Sequence, residues 1–117
     1  MGVYYCVHIL KMKPGAVASD LEALLHTRVV EMGRWIPGVQ RFTLMRTNAL
    51  ANESVRYVMT ITFESQQAYV YWHQVEEEAQ AYWPQLASVL QRCEQMSTLL
   101  DEYEGTMLLQ EELNSDH

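Results

Sequence analysis

An apolar extended run followed by an amphipathic helical stretch occurs twice in this chain, first over residues 3–34 and again over residues 55–82. The first run passes through Pro14-Gly15 into its helix, and the second passes through Glu64-Ser65. Two further short extended runs, at 39–47 and 104–110, complete an order of β-α-β-β-α-β. That order belongs to α+β architectures with one four-stranded antiparallel sheet. It restricts the fold and leaves the chemistry open.

The first strand is apolar on both faces. Val3, Tyr5, Val7 and Ile9 point one way, and Tyr4, Cys6, His8, Leu10 and Met12 point the other. Helices of the same chain can cover one face of such a sheet, so something else must cover the second. The economical candidate is an identical sheet, which makes a homodimer burying on the order of 1,500 Å² the expected assembly.

Helix one is expected to open with Ser19-Asp20-Leu21-Glu22 as a capping box. Leu21, Leu24, Leu25, Val29 and Met32 then form its apolar stripe, and Gly33 with Pro37-Gly38 ends it. Strand two sets Phe42 and Leu44 against Arg41, Thr43 and Met45, and residues 48–54 read as an exposed hairpin loop. Strand three alternates clearly. Val55, Tyr57, Met59, Ile61 and Phe63 make an apolar face, whereas Arg56, Val58, Thr60 and Thr62 make one polar enough to line a cavity.

Pro84 divides the second helical stretch, because proline lacks a donor and disfavours helical geometry at Trp83. Ala68, Tyr69, Trp72, Val75 and Ala79 give the first segment an inward stripe, and Leu86, Val89, Leu90, Cys93 and Met96 give the second another. Glu76-Glu77-Glu78 reads as a solvated helix face.

At 117 residues the chain is long enough for one core, expected over residues 1–110 with a polar tail at 111–117. Hydrophobic residues at 49% against charged residues at 20% exclude a disordered chain. No apolar run approaches the ~20 residues that span a bilayer, so no membrane partner is expected and a cytoplasmic location is the default. The net charge of -7 repels phosphate backbones, and the eight Lys and Arg residues are scattered, so nucleic acid is not an expected partner. Cys6 and Cys93 lack the C-x-x-C spacing of a zinc or redox site and read as small buried thiols.

Of four histidines, none is expected to have a ligand partner at metal-site spacing. His8 is centred in the most apolar strand, where an imidazole must find a hydrogen-bond partner or cost about 1–3 kcal/mol. It is either a satisfied core residue or a pocket-lining base. With no acidic residue in its own strand, it is expected to be neutral and able to take a proton. His73 reads as a solvent-facing neighbour of Trp72. The aromatics Tyr69, Tyr71, Trp72, Tyr82 and Trp83 suit either a core or the wall of a cavity for a planar apolar ligand. Nucleotide-cradling, Gly-x-Ser-x-Gly and His-Glu-x-x-His motifs do not occur, and no cofactor or metal is expected.

Three short motifs carry a resemblance: Lys11-Met-Lys-Pro-Gly15 after strand one, Ile36-Pro-Gly-Val-Gln-Arg-Phe42, and Thr62-Phe-Glu-Ser-Gln-Gln-Ala-Tyr69. With them the chain resembles the dimeric α/β-barrel superfamily, in its antibiotic-biosynthesis-monooxygenase-like and stress-responsive branches. The resemblance implies a ferredoxin-like protomer whose sheet packs on that of a second copy. It also implies activities ranging from cofactor-independent oxygenation of aromatic polyketides to heme degradation and cyclisation. In the heme-degrading branch, the strand-one Asn falls at His8, the helix Trp at Trp72 and the heme-ligating His near Tyr82, a departure that argues against heme. The resulting expectation is a pocket protein for a planar apolar or aromatic compound, with His8 as base or anchor and Trp72, Tyr82, Trp83 and Thr60 around the ligand. The alternative is a non-catalytic ligand-binding or structural dimeric barrel.

Overall fold

The computed structural model describes residues 2–47 and 55–113, with the side chains of Trp35, Gln80 and Tyr82 outside that description. The elements run β1 (Tyr4–Met12), α1 (Ala18–Trp35), β2 (Val39–Arg46), β3 (Arg56–Phe63), α2 (Gln66–Tyr82), α3 (Pro84–Met96) and β4 (Ser97–Thr106). All pairings are antiparallel and the sheet order is β2-β3-β1-β4. This is the α+β ferredoxin-like fold, with the second helix divided at Pro84. The expected hairpin loop at 48–54 and the end of the polar tail lie outside the described residues.

Helices cover one face of the sheet. In β1 and β3 the positions Tyr4, Cys6, His8 and Leu10 pair with Phe63, Ile61, Met59 and Tyr57, and all eight are buried. The α1 stripe, Leu21, Leu24, Leu25, Val29 and Met32, is buried against them. Each fully buried large side chain stabilises the fold by roughly 1.5–3 kcal/mol. Trp72 on α2 packs edge-on against Phe63, ring centroids 5.7 Å apart. The molecule measures 43 × 42 × 23 Å, its short dimension spanning one sheet and one helical layer. On the other face Tyr5, Val7 and Ile9 stay half exposed, and Tyr103 beside Val7 is exposed. No helix among the described residues is long and apolar enough to cross a membrane.

Three boundaries differ from the sequence reading. Helix α1 starts a residue before Ser19, with Val17 at the N-cap and no side-chain cap. The capping box does not form because Glu22 is engaged elsewhere, accepting from the Tyr57 hydroxyl at 2.7 Å and from Arg46 Nε at 2.8 Å. Gly33 does not end α1, which continues to Trp35; Pro37 ends it by holding Ile36 extended, at φ -114° and ψ 112°. Gly38 then takes φ +103° with its missing Cβ aimed at Ala68 of α2, 2.5 Å away. Strand β4 starts at Ser97 instead of residue 104, a shift that decides the site. The break at Trp83 occurs where Pro84 places it, Trp83 having φ -129° and ψ 82°.

Candidate functional site

His8 sits at the centre of the helix-facing side of the sheet, flanked by Met59 on β3 and Glu102 on β4. The β1–β4 register shifts between Ile9 and Leu10. Leu10 pairs with Leu99 and Ile9 with Asp101, which leaves Leu100 as the extra residue. A bulge of this kind reverses the alternation of the strand beyond it. Here it turns Glu102 inward, opposite His8. Asp101 braces the turn by accepting from the Glu102 amide at 2.9 Å.

Glu102 Oε2 lies 2.8 Å from His8 Nε2 and Cys6 Sγ lies 3.3 Å from the same nitrogen. Both contacts correct the sequence reading, which gave His8 neither a facing carboxylate nor a ligand partner two residues away. The carboxylate can only accept, so it holds the imidazole proton on Nε2 and leaves the lone pair on Nδ1. That second nitrogen makes no hydrogen bond, and no buried side-chain nitrogen or oxygen among the described residues lacks a partner. Nδ1 therefore keeps some open surface, and His8 lines a neighbouring space.

That space is a cavity of about 290 Å³ between β1, α1, α2 and α3, lined by His8, Arg28, Glu76, Leu10, Leu25 and Leu90 among others. Arg28 Nε donates to Glu76 Oε2 at 2.9 Å, and Arg28 Nη2 also contacts that oxygen. Their side chains are only 13% and 17% exposed. Glu76 thus does not belong to a solvated face with Glu77 and Glu78: it stands one turn after Trp72 on the inward side of α2, where the buried Arg28 claims it. Arg28 is the only Lys or Arg among the described lining residues, so the cavity has no spare cation for an anionic ligand.

On this side of the sheet the buried thiols and phenols are held in their neutral forms. Burial, reinforced by the Glu102 and Glu76 carboxylates, pushes the Cys6 thiol up to about 12. Burial also raises Cys93, so both thiols, buried as expected, are protonated in the absence of an ion. The Tyr4 hydroxyl donates to Glu104 at 2.7 Å, which raises its pKa. Tyr69, whose ring lies 5.3 Å from that of Tyr4, is raised chiefly by burial.

The residues expected around the ligand do not all converge. Trp72 is buried against Phe63 and is not among the cavity's described lining residues. Thr60 pairs with Val7, on the opposite side of the sheet from His8. Trp83 is half-buried and lines a separate, larger cavity of about 780 Å³ with Thr27, Glu31, Pro84, Leu86 and Val89. That cavity is the roomier of the two, and Glu31 is the one ionisable group among its described lining residues. The Tyr82 side chain lies outside the description. His73 is exposed and pairs with Glu77 at 3.2 Å, and His26 is exposed. Sequence reasoning missed Glu102, Arg28 and Glu76. For the last two a signal existed: Arg28 follows Leu24 by four residues and Glu76 follows Trp72 by four, so each lies on an apolar stripe.

Among solved structures the chain is similar to SnoaB, a cofactor-independent oxygenase from Streptomyces nogalater, with a TM-score of 0.69 and 14% identity over 94% of this chain and 97% of that one. It is similar to HapK from Hahella chejuensis, with a TM-score of 0.66 and 20% identity over 96% and 99%. It is also similar to a dimeric ferredoxin-like protein from an uncultured marine organism, with a TM-score of 0.61 and 14% identity over 94% and 99%. No protein-family model matches the chain, and no curated protein does. At these identities the likeness concerns the fold.

Proposed function

We propose that this protein is a cofactor-independent oxygenase for a small, neutral, planar hydroxy-aromatic or enolisable compound, with His8 as the general base. The observation that carries the reading is the His8 imidazole, held by Glu102 through Nε2, without a hydrogen bond at Nδ1, and lining a cavity of about 290 Å³. An enolisable CH2 or phenol bound there would give its proton to Nδ1, and the resulting carbanion or phenolate would pass its electrons to dioxygen. For a CH2 flanked by aromatic rings the balance is CH2 + O2 → C=O + H2O, which needs no outside reductant. The similarity to SnoaB supports this class of reaction.

The half-exposed outer face of β1, with Tyr5, Val7 and Ile9 beside Tyr103, supports a homodimer closed through that face. A dimeric ferredoxin-like protein of the same fold supports it as well. Because the His8 cavity lies on the helix side, each protomer would carry its own site.

Dioxygen uptake with anthrones and naphthols as probes tests the reading. Uptake by the parent, loss in His8→Ala with the dimer intact, and no change in His73→Ala is the expected outcome. Equal turnover by His8→Ala and the parent would return His8 to a structural role.

A further inference from the structure

Cys6, His8 and Glu102 bring a sulfur, a nitrogen and an oxygen within 4.8 Å of one another on one face of the β1–β4 pair. Cys6 and His8 are two residues apart on one strand and so share that face, and Glu102 stands opposite His8 in register. The bulge at Leu100 is what brings the carboxylate into the group. Among the described residues this is the one set of three His, Cys, Asp or Glu side chains close enough to share an ion.

The spacing suits a small tetrahedral ion. With bonds of about 2.0 Å to nitrogen and oxygen and 2.3 Å to sulfur, neighbouring donors of a tetrahedral zinc site sit ~3.3–3.8 Å apart. His8 Nε2 is already 3.3 Å from Cys6 Sγ and 2.8 Å from Glu102 Oε2, so these two distances have to open by less than ~1 Å, and the sulfur and the carboxylate lie within 4.8 Å of each other. Glu102 can supply that movement, because its side chain is 42% exposed at the sheet edge whereas Cys6 and His8 are buried. The same exposure gives an ion its way in.

We propose that Cys6, His8 and Glu102 form a binding site for a divalent transition metal of zinc type, with an open fourth position. The mixed sulfur, nitrogen and oxygen donors fit zinc better than magnesium or calcium, which require oxygen ligands. Thiolate and carboxylate together balance the charge of the ion. Glu104, which pairs with Cys6 across the strands, is held by the Tyr4 hydroxyl at 2.7 Å, so the fourth position falls to water. The ion replaces the Cys6 thiol proton, and the imidazole proton moves from Nε2 to Nδ1. One proton leaves per ion bound. With Nδ1 protonated, a metal-bound His8 is no longer a base, so the ion would block proton abstraction at this residue.

The proposal stands apart from the oxygenase reading, because its readout is metal binding and not turnover. The full chain, stripped with chelator, is titrated with Co2+ as the optical probe and then with Zn2+. The expected result is one Co2+ per protomer, a sulfur-to-cobalt charge-transfer band in the near ultraviolet, and displacement by Zn2+. Cys6→Ser should remove the band, and His8→Gln and Glu102→Gln should each weaken binding by about 10-fold or more. His73→Ala should change nothing. Absence of cobalt and zinc binding at micromolar protein overturns the proposal, as does a band that survives Cys6→Ser or vanishes in Cys93→Ser instead. If Cys6→Ser fails to fold, Glu102→Gln, altered at an exposed edge position, decides alone: undiminished affinity there overturns the site.

Discussion

Glu102 faces His8 across the β1–β4 pair at 2.8 Å because Leu100 is bulged out of register; without that extra residue Asp101 would stand opposite the imidazole. In the proposed function Glu102 is therefore the residue that positions His8. Glu102→Gln is expected to lower turnover of an anthrone probe by about 10- to 100-fold, by analogy with the loss of partners that orient other functional histidines. Stability should change by less than about 1 kcal/mol, since the carboxylate is substantially exposed. Kinetics and urea denaturation of the one variant measure both.

Arg28 and Glu76 form a mostly buried pair joining α1 to α2 beside the cavity. Removing one partner leaves the other charge buried and unanswered, so Arg28→Met or Glu76→Leu alone should destabilise the fold by about 2–4 kcal/mol. Replacing both should recover much of that loss. Denaturant titrations of the two single variants and the double variant give the coupling directly.

Acid should weaken the α1–sheet contact through Glu22. The hydrogen bond from Tyr57 and then the Arg46 guanidinium hold this carboxyl below the usual 4.5. A group whose folded pKa is lowered contributes stability that is complete above its unfolded value and is lost as pH falls through the folded one. Glu22→Gln should therefore flatten the loss of stability below about pH 4.5, measured as melting temperature against pH.

Two glycines should respond in opposite directions to alanine. Gly38 has φ +103° and no room for a Cβ, with Ala68 at 2.5 Å, so Gly38→Ala should cost about 2 kcal/mol or more. Gly33 lies inside α1 with nothing within 4 Å of a Cβ, so Gly33→Ala should stabilise the protein by about 0.5–1 kcal/mol. Paired thermal melts distinguish them.

The inward stripes of all three helices, the alternation of β1 and β3, and the break at Pro84 were legible in the sequence, because each follows from the period of its own element. The site was legible only at His8. Glu102 lies beyond a bulge, and counting alternation from the inward Leu99 would have pointed Asp101 and Tyr103 inward instead. Nothing local in Leu99-Leu100-Asp101-Glu102 reports that shift; it depends on the pairing with β1. Glu76 was hidden by its acidic neighbours, although its distance from Trp72 marks the buried side of α2. The capping box at Ser19 failed for a tertiary reason as well, since Tyr57 and Arg46 hold the carboxylate that would have closed it.

The central claim is that His8 presents an unprotonated Nδ1 to the cavity while Glu102 holds the proton on Nε2. Nitrogen-15 NMR of the His8 ring in metal-free protein, before and after addition of an anthrone or naphthol, tests this most directly. The account expects an Nε2–H tautomer whose Nδ1 resonance moves on addition of the compound. A proton resident on Nδ1, or an Nδ1 signal that stays still while the compound binds, would contradict it.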